Sequence, residues 1–245
     1  MVTFVMVHGA WHGGWCWQRV ATLLRQSGAQ VFTPTLTGLG ERAHLSQYID
    51  SAAMNLDLHQ NDVVQLLEYE GLEDVILVGH AYAGMVISGV AQACPGRLRY
   101  LVYVNGVVPA DGESMLDQLE AVRGADFIQR IKGFLDRGEP LLPPPDTPED
   151  VGRRWGITDP DDLAWVGSRV TPHPSASFAQ AVRLDRPEAE SIPRSFVGSS
   201  EAGFESVARR AKAAGWRTYH IESGHDPMVT HPRELAEILL DIAQQ

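Results

Sequence analysis

LVGHAYAG, residues 77–84, changes periodicity within eight positions. Val75 to Val78 is an unbroken apolar run of strand length, and Met85 to Ala93 continues as an apolar stretch of helix length. Between them Gly79 and Gly84 bracket a tight corner. In its G-x-S-x-G form such a strand-to-helix corner presents a nucleophilic serine on strained backbone. The centre here is Ala81, which has no nucleophilic atom. The pattern predicts a catalytic turn whose reacting atom is missing.

The flanking sequence repeats the same alternation. Thr3 to Val7, Gln30 to Thr33, Leu98 to Val104, Arg194 to Gly198 and Thr218 to Ile221 read as further strands. Trp17 to Gln26, Asn55 to Glu70, Phe204 to Ala214 and Pro232 to Ala243 carry helical spacing, with Gly28 and Gly71 as stop signals. Strands alternating with helices predict an α/β fold, a mostly parallel sheet flanked by helices, with function gathered at the carboxyl ends of the strands. Residues 108–192 break the rhythm. Pro140, Pro143, Pro144, Pro145 and Pro148 exclude a central strand there. The expectation is a core of residues 1–107 and 193–245 with an inserted, mostly helical lid of residues 108–192; a plain surface excursion is the alternative.

Composition narrows the class of function. The chain has 245 residues, 44% of them hydrophobic, enough for a large core in one domain. Twenty Lys and Arg against 31 Asp and Glu give a net charge of −11, which disfavours a nucleic-acid or anionic-membrane partner. Cys16 and Cys94 supply neither a disulfide framework nor a Cys-x-x-Cys metal spacing. MVTFVMVHGA lacks a basic n-region and reads as a first strand, so a cytoplasmic location is expected. No dinucleotide fingerprint, P-loop or EF-hand is present, so no cofactor is expected. The expected partner is a small molecule, and self-association as a homodimer stays open.

Two more segments carry chemistry-bearing residues. HGAWHGGWCW, residues 8–17, follows the first strand, and its glycines allow backbone N–H groups to converge as an oxyanion hole requires. Read blandly, it is a strand-to-helix turn with His8 and His12 as packing residues. Their i, i+4 spacing would serve a metal only on a helix, which Gly9, Gly13 and Gly14 oppose; no metal is expected. Ser223-Gly224-His225-Asp226 follows the last strand, where a loop histidine is placed to act as general base.

These motifs together resemble the α/β-hydrolase superfamily, and most of all its small esterase and hydroxynitrile-lyase branch, with plant methyl-ester esterases and bacterial carboxylesterases. Besides HGAWHGGWCW and LVGHAYAGMVI, the resemblance rests on PTLTGLGERAHL (34–45), LVYVNGVVPADGES (101–114) and SGHDPMVTHP (223–232). It implies Ala81 at the nucleophile position, His225 as base, and the N–H groups of Ala10 and Tyr82 as oxyanion hole. Trp11, His12, His80, Trp155 and Trp165 are expected around the substrate pocket. Two departures stand out. Such relatives carry serine where this chain has Ala81, and many carry aspartate where it has Asn105. Glu201 is then the candidate acid, with Asn105 the alternative acid position; Asp226 ranks lower because it adjoins His225.

Covalent ester hydrolysis needs an attacking Oγ. The resemblance therefore implies inherited carboxylic-ester hydrolase chemistry on a small apolar or aromatic ester, disabled at Ala81, whether by engineering or in the native protein. A second expectation is a native lyase, cyclase or isomerase using His225 and the oxyanion hole. A third is a non-catalytic small-molecule binder.

Overall fold

The computed structural model describes residues 1–122, 125–200 and 202–245. Six strands form one parallel sheet, in the spatial order of residues 30–32, 3–7, 75–80, 98–104, 194–199 and 217–221. In chain order the elements are β1 (Thr3–Val7), α1 (Gln18–Gln26), β2 (Gln30–Phe32), α2 (Leu56–Tyr69), β3 (Val75–His80), α3 (Ala83–Ala93) and β4 (Leu98–Val104). Then come α4 (Met115–Val122), α5 (Ala125–Asp136), β5 (Leu141–Leu142), α6 (Pro148–Trp155), α7 (Pro160–Gly167), β6 (His173–Pro174) and α8 (Ala176–Ala179). β7 (Arg194–Ser199), α9 (Glu205–Ala213), β8 (Arg217–Ile221), α10 (Pro227–Thr230) and α11 (Pro232–Ile242) complete the chain.

The strands follow from their burial. β1 and β3 sit mid-sheet, every residue buried, and so read as continuous apolar runs rather than alternating ones. β8 lies at the edge and exposes Arg217, Thr218 and His220, polar positions that discourage pairing with another chain. α3 is buried from Ala83 to Ala91, and α2 packs against it while α1 packs against α11. β1 leads outward to β2, whereas β3 leads to β4 on the other side, so the sheet reverses its winding between β1 and β3. Turns leaving that reversal open a crevice at the carboxyl edge.

The β4–β7 segment is mostly helical, with β5 and β6 paired antiparallel. Its prolines do more than interrupt strands. Pro148 and Pro160 occupy the first turns of α6 and α7, behind Thr147 and Asp159, whose side chains accept the N–H groups of Asp150, and of Asp161 and Asp162. α6 stops at Gly156, whose φ of 68° is left-handed.

One glycine position is set by a backbone contact. A Cβ on Gly84 would lie 1.9 Å from the Val107 carbonyl oxygen, while a Cβ on Gly89 would meet only the side chain of Gln60. Helix propensity favours alanine at both by about 1 kcal/mol. At Gly84 the clash with backbone outweighs it. Gly84→Ala is expected to cost about 2–4 kcal/mol, read as a lower urea midpoint at unchanged slope, whereas Gly89→Ala stays within about 1 kcal/mol.

Candidate active site

The turns after β1, β3 and β4 and the loop after β8 converge at that carboxyl edge. A cavity of about 220 Å³ is lined there by Ala10, Trp11, His12, His80, Ala81, Tyr82, Trp155 and His225. Met115, Leu119, Phe127, Arg153, Arg154, Phe178 and Phe204 complete its wall. Of the residues expected around the pocket, Trp165 is elsewhere. It packs edge-on against Trp15 at 5.1 Å, beneath the guanidinium groups of Arg19 and Arg169. Glu201, the candidate acid, lies outside the described residues.

Ala81 has a φ of 51°, left-handed backbone that an alanine adopts only when its surroundings impose it. Its N–H donates to Val104 O at 3.2 Å, and its carbonyl accepts from Gly84 N–H and Val107 N–H, each at 3.1 Å. That carbonyl belongs to the peptide whose N–H is Tyr82, at the head of α3, where no preceding turn supplies an acceptor. The peptide of Ala10 is braced in the same way. Gly9 O accepts from His8 Nδ1–H at 2.8 Å and from His12 N–H at 3.4 Å. Hydrogen bonds on a carbonyl polarise the N–H of the same peptide and fix its plane. Both expected oxyanion donors are thus built into peptides held from behind.

His225 is 4% exposed. Its N–H donates to Trp155 O at 2.8 Å. Its carbonyl accepts from His80 Nε2–H and Asn105 Nδ2–H, both at 3.0 Å. The ring lies flat on Phe204 at 5.4 Å. A Cβ on Gly224, the preceding residue, would fall 2.4 Å from Trp155 O, so the loop approaches α6 as closely as it does because that position is glycine.

Asn105 does not act as an acid here. Its amide donates to Ser199 Oγ at 2.9 Å as well as to His225 O, and its Oδ1 accepts Ser199 N–H at 2.9 Å. A carboxylate has no hydrogen to give to either acceptor, so this arrangement calls for the amide. Asp226, ranked low from sequence, is fully buried. Its Oδ2 is 3.0 Å from His12 Nε2 and its Oδ1 3.5 Å from His80 Nε2. Ligand-type atoms of His80, His225 and Asp226 lie within 4.8 Å of one another. His80 Nε2 and Asp226 Oδ2 are engaged in the contacts above.

Three more buried histidines lie behind the site, bonded to its turns and side chains, and their partners fix their tautomers. Leu36 N–H donates to His8 Nε2 at 3.0 Å, leaving the proton on Nδ1. Tyr82 OH donates to His59 Nδ1 at 2.9 Å, and His59 Nε2–H donates to Thr37 O at 3.0 Å. Trp11 N–H donates to His173 Nδ1 at 3.4 Å, and His173 Nε2–H donates to Ser177 Oγ at 2.8 Å. Sequence reasoning missed His59, His173 and the apolar wall from the β4–β7 segment, since no motif marks which amphipathic face of an inserted helix meets a distant turn.

Burial in each case disfavours the charged ring. It lowers His8 to about 3 and His59 to about 4, and holds His173 well below the usual histidine value. The unfolded chain takes up protons near pH 6.5 where these folded rings do not, so their contribution is complete above that pH and is lost as pH falls toward their folded values. His12 is shifted the other way, so its contribution is complete below pH 6.5 and is lost as pH rises through its folded value. Urea unfolding is expected to lose roughly 1–2 kcal/mol per ring between pH 6.5 and 5. A flat stability profile over that interval would contradict the tautomer assignment.

A family model described as the alpha/beta hydrolase family matches residues 4–238. The chain is 38% identical over 248 residues to a carbendazim-hydrolyzing esterase of Nocardioides sp. (strain SG-4G), covering 98% of each. Among solved structures it is similar to an extracellular alpha/beta-hydrolase from a Paenibacillus species, with TM-score 0.82, 21% identity and 98% of each chain covered. It is also similar to tomato methylketone synthase I complexed with 2-tridecanone, with TM-score 0.78, 24% identity and coverage of 99% of this chain and 98% of that one. At these identities the two structures speak to the fold.

Proposed function

The chain belongs to the alpha/beta hydrolase family, and we propose that it binds a small apolar or aromatic ester in the cavity at Ala81 without turning it over through an acyl-enzyme. The observation that carries this reading is the pairing of an intact surround with an empty centre. Ala81 keeps the strained backbone of the elbow, the Ala10 and Tyr82 peptides are braced, and His225 lines the same cavity. The esterase relative at 38% identity supports the ester as ligand class. Residues 108–192 act in this reading as a lid on a core of residues 1–107 and 193–245, since Met115, Leu119, Phe127, Trp155 and Phe178 all face the cavity.

Removing the nucleophile from a serine hydrolase costs roughly 10⁶-fold in kcat, and an amide in place of the triad acid costs roughly 10⁴-fold. If both losses operate here, restoring the hydroxyl alone recovers about a hundredfold. Ala81→Ser is therefore expected to raise hydrolysis of a panel of methyl and aryl esters by about that factor, and His225→Ala in the same background to remove the gain. Ester turnover at an ordinary enzymatic rate by the unmodified chain would overturn the proposal.

Asn105 favours a second reading, native chemistry without a nucleophile. One exchanged residue at position 81 would not account for an amide that donates two hydrogen bonds no carboxylate could make. In this reading His225 takes a proton from the carbon beside a bound carbonyl group, and the Ala10 and Tyr82 N–H groups hold the resulting enolate oxygen. Methyl ketones, the class of the 2-tridecanone bound by the tomato synthase, are direct probes. The expected result is exchange of α-hydrogens for deuterium, followed by NMR, with the unmodified chain and its loss in His225→Ala. No exchange above the solvent rate leaves the first reading alone.

A further inference from the structure

His12 and Asp226 lie between the two halves of this site and belong to neither the base nor the oxyanion donors. His12 Nδ1 is 2.8 Å from Ala10 O, and a carbonyl can only accept, so Nδ1 carries a hydrogen. His12 Nε2 is 3.0 Å from Asp226 Oδ2. A neutral ring with its hydrogen on Nδ1 and a bare carboxylate would meet there with two lone pairs and no proton. The contact therefore holds one more proton than a neutral histidine beside an aspartate would bring. Both side chains are closed off from water, at 1% and 0% exposure, with the Trp15 ring stacked on His12 at 5.4 Å and the Trp155 ring at 4.6 Å. A lone charge in such a place is poorly solvated, so neither charge persists without the other.

Titratable groups from several neighbouring elements surround this pair. From the β1 turn, His8 is held neutral with both nitrogens engaged. From β3, His80 gives its Nε2 hydrogen to His225 O. From the stretch before α1, burial pushes the Cys16 thiol up and keeps it protonated. His225 meets this cluster through its backbone carbonyl, through ring contact with His80 at 4.7 Å, and through a ring nitrogen within 4.8 Å of an Asp226 carboxylate oxygen. For His12 burial alone lowers the ring, and the Asp226 carboxylate together with the Ala10 carbonyl more than offsets it, so the net direction is upward.

We propose that His12 is a positioning residue, an imidazolium held by the Asp226 carboxylate, that fixes the oxyanion turn at Ala10 relative to the loop bearing His225. The inference rests on the reading of Ala10 and His225 as parts of one site. Its geometry joins residue 10 to residue 226 through one side chain, across the two ends of the chain.

The test is an NMR titration of histidine-¹⁵N-labelled protein with the backbone amides of Ala10 and His225 followed in parallel. At pH 7 both ring nitrogens of His12 are expected to carry hydrogen, and raising the pH through its deprotonation should move both amide resonances with the same midpoint. In Asp226→Asn that midpoint should fall by about one pH unit or more, the amides following it. If that variant does not fold, the unmodified protein alone decides. A neutral His12 ring at pH 7, or amides that ignore its titration, would overturn the proposal. Failure of Ala81→Ser to gain esterase activity would count against the ester reading and leave this result standing.

Discussion

β1 and β3 run side by side in parallel with Val7 opposite Gly79, and every functional contact depends on that register. It sends two turns out of adjacent strands at the same height, one carrying Ala10 and the other Ala81. Such turns must reverse direction within a few residues of each other, and backbone strain gathers where they do. Among the described residues, four non-glycines have positive φ: Trp11 at 64°, Asp74 at 54°, Ala81 at 51° and Asn105 at 41°. Three of them follow β1, β3 and β4, neighbouring strands, and surround the site. Strain of this kind costs of order 1–3 kcal/mol per residue and persists only where neighbours over-determine the backbone.

The over-determination is polar. The peptides behind Ala10 and Tyr82 each have a carbonyl gripped by two N–H donors, and the His225 backbone is held at both its N–H and its C=O. These bonds are made by the scaffold and do not involve the side chain at position 81. Exchange of serine for alanine there removes an atom from the reaction and almost nothing from the framework. On the proposed reading the site receives a carbonyl oxygen and lacks one way of attacking the carbon behind it. Asn105 belongs to the framework as well, since its amide ties Ser199 to the carbonyl of the base.

The architecture was legible because each element obeys local rules. Continuous apolar runs marked the central strands, glycines at 28 and 71 marked helix ends, and proline density marked the segment between β4 and β7. The places of Ala81 and His225 were legible because each lies on a short turn next to a strand, where sequence position nearly dictates place. Trp165 misled for the opposite reason. It sits in an inserted helix, where a shift of one residue turns a side chain through about 100°, and it faces Trp15 and two arginines instead of the cavity. Asp226 was undervalued because adjacency to the base suggested a side chain aimed away from everything of interest. Its Oδ2 instead meets His12, a buried histidine that no spacing rule connects with it.

The bond from His225 N–H to Trp155 O has a consequence for local stability. Native proteins open in cooperative units, and two segments that share a main-chain hydrogen bond in a buried place tend to open together. The last turn of α6 and the loop bearing the base form such a unit, cemented by the close approach of Gly224. Fraying of α6 would release the base and expose its amide to exchange in one event. Among the described residues, Met115, Leu119 and Phe127 make no main-chain hydrogen bond to His225. Opening on the α6 side therefore costs His225 its place.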